Sequence, residues 1–357
     1  MKKHSISFLL FIGFFLWVTS ASAQWQQSTG FNSHNLIGGF LSYGNYLLGD
    51  ARTSGGPTID SLYASTDDGQ TWAPFSPNGG APLAAYGNND ILGSASYPIP
   101  GGLQGMLSYS TNYGQTWTPD TLGWPSFSGL AGLLVTVGST IYGANGSTGV
   151  YQQTSPGALW TADTAGMTVG GIPYSINSLI ASGNTLFAGT NGVFISTNQG
   201  ASWTQATNGL PPPLQSGNYP AVAGLTFSGS SVFAMIPHNG YFDSLYDFYR
   251  TTNAGQSWTK MNSASQNLGY GTIPFTASGQ SLFGVADKGV NVSTDNGATW
   301  SLQNQGFPLF DVAGSFIDQI QVSGDNLVIG RGILGEIWYR KLSDFTNSSV
   351  GPEDGAA

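Results

Sequence analysis

Short apolar runs alternate along the chain with clusters of Gly, Asn, Ser and Thr. The pattern is clearest where apolar runs at 175–181, 185–189 and 193–197 are separated by Ser182-Gly183-Asn184 and Thr190-Asn191-Gly192. Short apolar runs bounded by turn residues are typical of β-strands, and no long segment has helical periodicity. The pattern therefore predicts an all-β protein built from short antiparallel strands.

An eight-residue repeat, which we call the box, follows the third strand of these units. Its first copy is Ser65-Thr66-Asp67-Asp68-Gly69-Gln70-Thr71-Trp72; others lie at 110–117, 196–203, 251–258 and 293–300, with a worn copy at 153–160. A tryptophan marks each unit at spacings of 42 to 55 residues: Trp25, Trp72, Trp117, Trp160, Trp203, Trp258 and Trp300. Four short strands per repeat of this length are typical of a propeller blade.

The two ends of the chain predict how the propeller closes. The last unit supplies only three strands, near 316–322, 326–330 and 335–340, and has no box. The segment 25–29 resembles a fourth strand that has no blade of its own. Pairing the two would leave no open sheet edge. We therefore predict a seven-bladed β-propeller over residues 24–342, closed by the N-terminal strand completing the last blade; six or eight blades are the alternatives.

The box has the chemistry of a tight turn. An Asp or Asn side chain can accept hydrogen bonds from the backbone of its own turn, and Gly tolerates a positive φ. The Trp that follows would be buried where the outer strand begins. We assign this structural role to Asp67, Gly69, Trp72, Asn112, Gly114, Trp117, Asn198, Gly200, Trp203, Asn253, Gly255, Trp258, Asp295, Gly297 and Trp300. Calcium binding is the alternative, but one carboxylate per turn is a poor site for a hard cation.

The box resembles the Asp-box, or BNR, repeat of the sialidase-like propeller superfamily, and the copies at 65–72 and 293–300 match it fully. The resemblance covers nearly all of the chain after residue 23. It implies that the boxes lie on the outer rim, and that ligands bind the opposite face, at the connections between second and third strands and at the linkers between blades. Members of that superfamily include sialidases, xyloglucan-degrading hydrolases, sortilin-type receptors and photosystem assembly factors.

The N-terminus predicts export. Lys2 and Lys3 precede an apolar run at 6–18 and the small residues Ala21-Ser22-Ala23, which is typical of a secretory signal peptide at 1–23, cleaved near Ala23. A membrane anchor is the alternative, but the run is short for a bilayer span, which needs about 20 residues. We expect a secreted protein, extracellular or periplasmic, with no membrane insertion. Residues 343–357 are small and polar and predict a disordered tail.

Composition narrows the partners. The chain has no Cys, and its 9 basic and 18 acidic residues give a net charge of −9. Nucleic acid and anionic membranes are disfavoured, because both require clustered Lys and Arg. We expect no cofactor and no metal site, and a glycan or an extracellular protein as the partner of a monomer.

A test for catalytic residues favours a non-catalytic protein. A sialidase would use three Arg and a Tyr–Glu pair, whereas only Arg52 and Arg331 are available as binding candidates and Glu is almost absent. No Gly-x-Ser-x-Gly or His-Glu-x-x-His motif occurs. A glycoside hydrolase that uses Asp carboxylates remains the alternative, with Asp60, Asp243 and Asp247 as candidates.

Three connections between second and third strands are longer than a minimal turn: 52–60, 97–104 and 237–245. Insertions on one face of a repeat protein often mark its binding face. Aromatic rings beside Asn and Asp would suit sugar stacking or a protein partner, although Tyr241 and Phe242 could equally pack within their own loop. The candidate ligand-binding residues are Arg52, Asp60, Tyr97, Trp124, His238, Tyr241, Phe242 and Asp243.

These observations predict a binding or scaffold propeller. A glycosidase is the alternative from a different class. A third possibility is an assembly factor similar to the photosystem type, which the acidic charge and the scarcity of Arg weaken.

Overall fold

Seven four-stranded antiparallel sheets form the protein, and each sheet is one blade. The computed structural model describes residues 24–346 except 32–34, 54–60, 77–80, 88–89, 100–101, 126–132, 145–148, 170–171, 215–217, 238–245, 262–274, 287–288, 308–316, 318 and 332–333. The predicted signal peptide lies outside the described residues. Among the described helices, none is long and apolar enough to cross a bilayer.

The strands follow the predicted pattern of four per repeat. In chain order they are β1 (Gln26–Gln27), β2 (Asn35–Tyr43), β3 (Tyr46–Thr53), β4 (Ser61–Ser65), β5 (Ala73–Ser76), β6 (Ala81–Tyr86), β7 (Asp90–Ile99), β8 (Gly102–Ser110), β9 (Thr118–Pro119), β10 (Leu133–Val137), β11 (Thr140–Ala144), β12 (Val150–Gln153), β13 (Thr161–Ala162), β14 (Thr168–Val169), β15 (Ile172–Pro173), β16 (Ser178–Ser182), β17 (Thr185–Thr190), β18 (Gly192–Ser196), β19 (Thr204–Gln205), β20 (Gly224–Ser228), β21 (Ser231–Pro237), β22 (Tyr246–Thr251), β23 (Thr259–Lys260), β24 (Phe275–Ser278), β25 (Ser281–Ala286), β26 (Gly289–Ser293), β27 (Ser301–Leu302), β28 (Gln319–Ser323), β29 (Asn326–Arg331) and β30 (Glu336–Lys341).

The first strand of each blade contacts the first strands of both neighbours, so β2, β6, β10, β16, β20, β24 and β28 form a closed inner ring. Blades 1 to 6 are β2–β5, β6–β9, β10–β13, β16–β19, β20–β23 and β24–β27. Blade 7 is β28, β29, β30 and β1. The predicted seven-bladed β-propeller is therefore confirmed.

The core lies between adjacent blades. Between blades 4 and 5, for example, Phe187 and Val193 pack against Val232 and Ile236, and all four are buried. Similar clusters fill the neighbouring wedges. Because each blade is covered on both faces by its neighbours, middle strands such as β18 and β21 are buried along their whole length and are mostly apolar.

The ring closes as the two chain ends predict. The outer strand β1 pairs antiparallel with β30, with Gln26 opposite Tyr339 and Gln27 opposite Trp338. Trp25 is buried beside this strand, and its indole Nε1 donates to the Gln303 carbonyl at 2.6 Å. The N-terminal strand thus completes blade 7.

A short helix, α1 (Leu342–Thr346), follows the last strand. At the start of the helix, the backbone N–H of Leu342 donates to the Asp325 carbonyl at 2.8 Å. The Phe345 side chain is only 4% exposed. The predicted disordered tail begins at residue 343, so its first four residues are in fact ordered. A single apolar side chain in a polar segment has no periodicity that could predict this helix, and packing of Phe345 against Trp25, Phe283 and Arg340 holds it in place.

Two further segments differ from the expected loops. Residues 97–104 continue the ladder of β7 and β8, with Tyr97 opposite Gln104 and Ile99 opposite Gly102, so this connection is an extended hairpin. The linker after blade 3 contains the small hairpin β14–β15.

Candidate functional site

Each box is a hydrogen-bonded turn on one face of the propeller, between the third and fourth strands. In blade 1, the Ser65 hydroxyl donates to Asp67 Oδ1 and accepts from Gly69 N, both at 2.8 Å. Thr71 donates to the same carboxylate through its backbone N at 2.8 Å and its hydroxyl at 2.6 Å. The Trp72 indole then donates to the Gly69 carbonyl at 3.0 Å. Protein donors therefore occupy both oxygens of Asp67.

Three boxes have Asn in place of Asp. The turn accepts either residue, because one hydrogen bond can reverse its direction. Asn112 Oδ1 accepts from the Ser110 hydroxyl at 2.9 Å and from Thr116 N at 2.9 Å, as Asp67 does in blade 1. Its Nδ2 donates to the Thr116 hydroxyl at 2.9 Å, whereas Thr71 donates to Asp67. Either side chain satisfies the turn, so the box does not require a charge.

Hydrogen bonds also set the ionisation of the two acidic boxes. Burial raises the pKa of the Asp67 carboxyl, but hydrogen bonds from Thr71 and Ser65 outweigh it, so its pKa is lower than usual. The pKa of Asp295 is lowered in the same way, chiefly by Thr299 against the effect of burial. Among the described residues, no group of three or more His, Asp and Glu side chains is arranged to hold a metal ion.

The residue before the box Gly also has a left-handed backbone, which sequence reasoning missed. The predicted positive φ of the Gly is present, at 87° for Gly69. The preceding residue has a φ near 55° in every clear copy: Asp68, Tyr113, Gln199, Ala254 and Asn296. Asn and Asp tolerate the left-handed region better than other side chains with a Cβ. Asp68 and Asn296 could therefore have predicted this conformation at two of the five positions.

A second recurring contact joins neighbouring blades, and it is seen at five of the seven boundaries in the described part of the chain. The backbone N–H of Trp258 in blade 5 donates to the Asn208 carbonyl in the linker of blade 4 at 2.8 Å. Gly209 follows with a φ of 88°, and a Cβ there would overlap the Trp258 carbonyl. The same joint links Trp25 to Gln305, Trp72 to Thr29, Trp160 to Leu122, and Trp203 to Ala165. The sequence feature that could have predicted this joint is the Gly that follows several of these tryptophans by about six residues.

The worn box in blade 3 takes its acceptor from blade 2. Gln153 stands where the other boxes have Ser or Thr. Asp120 in the preceding linker accepts from Gln153 Nε2 at 2.7 Å and from Gly157 N at 3.2 Å. Burial raises the pKa of this carboxyl, and those two hydrogen bonds oppose the effect. A neighbouring blade thus supplies the group that the repeat has lost.

The ends of β3, β7 and β21, which precede the three connections predicted to bind a ligand, lie on the face opposite the boxes. Arg52 lies near the end of β3, at the edge of this face. Five other predicted residues lie outside the described part of the chain: Asp60, His238, Tyr241, Phe242 and Asp243. Only Arg52, Tyr97 and Trp124 belong to the described part of the chain, so the grouping of the eight candidates into one site stays a prediction.

Tyr97 lies on the hairpin β7–β8, whose strands are the longest pair in the described part of the chain. Strand β7 has 10 residues and β8 has 9, whereas the corresponding strands of blade 4 have 6 and 5. At about 3.3 Å per residue, the extra four residues project the hairpin by roughly 13 Å. The ring is half-buried, the Tyr97 and Ser108 hydroxyls share a hydrogen bond of 3.0 Å, and burial raises the pKa of Tyr97.

Trp124 is a packing residue. It is only 9% exposed, and its ring lies 4.7 Å from Trp160 and 5.6 Å from Tyr151 in centroid distance. It occupies the linker position after the joint Gly, where the side chain fills the gap between blades 2 and 3. Its ring does not offer a face for stacking.

The remaining candidates for chemistry have structural partners. Arg331 is buried and pairs with Glu336 at 3.0 Å, with its guanidinium over the Phe307 ring at 5.4 Å. Asp247 is buried in β22 and pairs with Lys260 at 2.8 Å. These groups stabilise the blades rather than face an open cleft.

No family model and no curated protein matches the chain. Solved structures do: YCF48 from Cyanidioschyzon merolae has 14% identity and a TM-score of 0.58, covering 91% of this chain and 100% of that chain. Virginiamycin B lyase from Staphylococcus aureus has 12% identity and a TM-score of 0.59, covering 89% and 99%.

The GH74 enzyme of Niastella koreensis has 17% identity and a TM-score of 0.55, and the match covers 86% of this chain but 43% of that one. These proteins are seven-bladed β-propellers, one known bound to a D1 peptide and another a glycoside hydrolase. At such identities the similarity shows the shared fold alone, and a binding or scaffold propeller is consistent with it.

Proposed function

We propose that the protein is a secreted, non-catalytic propeller that binds a glycan or protein ligand on the face opposite the boxes. The observation that carries the proposal is the hairpin β7–β8, which extends on that face beyond the corresponding strands of blade 4. A projecting hairpin on a rigid ring provides a wall for a ligand, as loops on rigid scaffolds often do. The turn chemistry of the boxes supports membership of the Asp-box, or BNR, propellers.

Three of the described carboxylates have structural partners, which favours binding over hydrolysis. Asp67 is occupied within its turn, Asp120 serves the neighbouring box, and Asp247 is paired with Lys260. A glycosidase needs two carboxyl groups facing one another across the substrate, about 5 to 10 Å apart. Asp60 and Asp243 remain the candidates for that alternative.

The test is to shorten the hairpin. Replacing 97–104 by Asn-Gly joins Ser96 to Gly105, which already face each other in the ladder, through a favoured two-residue turn. We expect the mature protein to bind members of a glycan array or a peptide library, and the shortened variant to lose that binding at an unchanged melting temperature. Binding that survives the deletion would contradict the proposed wall.

The alternative has its own readout. Turnover of chromogenic glycosides that Asp60→Asn or Asp243→Asn abolishes would replace the binding proposal with a hydrolase. Export is tested separately: protein recovered outside the cytoplasm is expected to begin at Gln24, and a retained N-terminal segment would contradict cleavage near Ala23.

A further inference from the structure

A cavity of about 930 Å³ opens on the face that carries the boxes. It lies where blades 7, 1 and 2 meet, and is built from the turns after β2 and β28 together with the boxes of blades 1 and 2. The face proposed above to bind the ligand is on the other side of the ring. The volume of the cavity is in the range of pockets that hold a small ligand or a side chain with its flanking residues.

Two tyrosine rings line one side of the cavity. The rings of Tyr46 and Tyr113 meet at a centroid distance of 6.2 Å and an angle of 61°. Phe75 supports Tyr46 at 5.6 Å, and the buried ring of Tyr43 supports Tyr113 at 5.9 Å. The two rings are therefore held in place by packing before any ligand arrives.

A carboxylate lines the cavity with these rings. Asp68 occupies the left-handed position of box 1, with a φ of 57°. Asn326 Nδ2 donates to its carbonyl at 3.0 Å, and the Ser323 hydroxyl donates to its Oδ1 at 3.3 Å. The carboxylate lies directly against Gly324, where a Cβ would overlap it. Contacts from blade 7 thus fix the position of a negative charge that belongs to blade 1.

The charge of the lining selects the ligand. None of the described lining residues is Lys or Arg, and the whole chain carries a net charge of −9. A guanidinium group is planar, stacks on aromatic rings and forms paired hydrogen bonds with a carboxylate. A neutral sugar could also use tyrosine and Asp, but it would gain nothing from the negative charge.

We propose that this cavity binds an arginine side chain of a peptide or protein partner, with the guanidinium over the tyrosine rings and paired with Asp68. The inference is independent of which ligand occupies the opposite face. It adds a second binding surface, on the side where the boxes were expected to be structural alone.

The experiment is an NMR titration of the mature protein carrying ¹³C-labelled tyrosine. The probe is acetyl-Gly-Arg-Gly-amide, and the matched control peptide has citrulline, which has nearly the same shape but no charge. We expect the arginine peptide to shift the Tyr46 and Tyr113 signals in a saturable way, and the citrulline peptide to bind at least tenfold more weakly. Added salt should weaken binding of the arginine peptide, because it screens the attraction between the guanidinium group and the carboxylate.

Two variants test the residues, and the repeat itself shows that both are compatible with the fold. Asn296 and Ala254 occupy the same turn position as Asp68 and Tyr113, with φ values of 57° and 52°. Asp68→Asn and Tyr113→Ala should each weaken binding at least tenfold without lowering the melting temperature by more than a few degrees. The control is Asp295→Asn in box 6, which makes the same charge change outside the cavity and should leave binding unchanged.

Three results would overturn the proposal. Equal binding of the citrulline peptide would show that the charge is not recognised. A loss in Asp295→Asn as large as that in Asp68→Asn would show a general effect of net charge. Cellobiose that shifts the same tyrosine signals, with an affinity unaffected by Asp68→Asn and above that of the arginine peptide, would make the cavity a saccharide site.

Discussion

The contribution of α1 to ring closure can be measured by replacing Phe345 with Ala. The Phe345 ring lies 6.0 Å from Trp25 on the closing strand and 5.3 Å from Phe283 in blade 6. It also lies 4.5 Å beneath the guanidinium carbon of Arg340, which is itself only 1% exposed. One side chain near the C-terminus therefore touches the N-terminal segment, blade 6 and blade 7.

The size of the effect follows from burial. Phe-to-Ala changes in protein cores cost about 3–5 kcal/mol of unfolding free energy. That cost includes loss of the arginine–aromatic contact, since such contacts contribute about 0.5–2 kcal/mol. The matched control is Phe227→Ala, because Phe227 is 47% exposed and the chemical change is the same. We expect the control to cost less than about 1 kcal/mol.

The assay is urea unfolding at 25 °C, followed by tryptophan fluorescence and circular dichroism, with the two variants compared at a shared slope. Phe345→Ala should unfold at a lower urea concentration than Phe227→Ala. If the two variants unfold at the same concentration, α1 does not contribute to closure and the packing argument fails.

Three further changes test the turns, the joints and a buried charge. Gly209→Ala should destabilise the protein by about 1–3 kcal/mol more than Gly183→Ala, because both have a positive φ but only the first would overlap the Trp258 backbone; equal urea midpoints would refute the joint. Ala254→Asn should raise the unfolding free energy by up to about 1 kcal/mol, since Asn suits its φ of 52°; a lower midpoint would refute this. Burial raises the pKa of the Asp163 carboxyl to about 6, so its favourable contribution is present below pH 4 and is lost as the pH rises through 6. Asp163→Asn should therefore raise the melting temperature more at pH 7.5 than at pH 4, and an equal gain at both would contradict the shift.

The sequence predicted the number of blades and the closure because both rest on a repeat. A Trp followed by polar residues returns in every unit, and Trp25 shows that the N-terminal segment is an outer strand. Elements that occur once are harder to predict. The helix α1 is ordered by contacts between Phe345 and residues some 60 and 320 positions away in the chain, which no local pattern contains.

The candidate site shows the same division. The hydrogen-bonding Asp or Asn and the positive φ of the Gly follow from turn chemistry, and the boxes have both in the structure. Trp124 was expected to be exposed because it lies in a linker, yet its position after the joint Gly places it in the core. The role of Asp120 could not be predicted from its local sequence, because its partner Gly157 belongs to the next blade.

The joints between blades have a consequence for how such a protein can change in size. In the five described joints, one unit offers a donor, its Trp N–H, and the preceding unit offers an acceptor, the carbonyl ahead of its linker Gly, so these units associate head to tail. Duplicating or deleting a segment that runs between two Trp of the described joints, such as Trp160 and Trp203, would leave the donors and acceptors of those joints matched. Ring size is thus a property of the angle between neighbours, and evolution can vary it by whole-unit steps without redesigning a single contact.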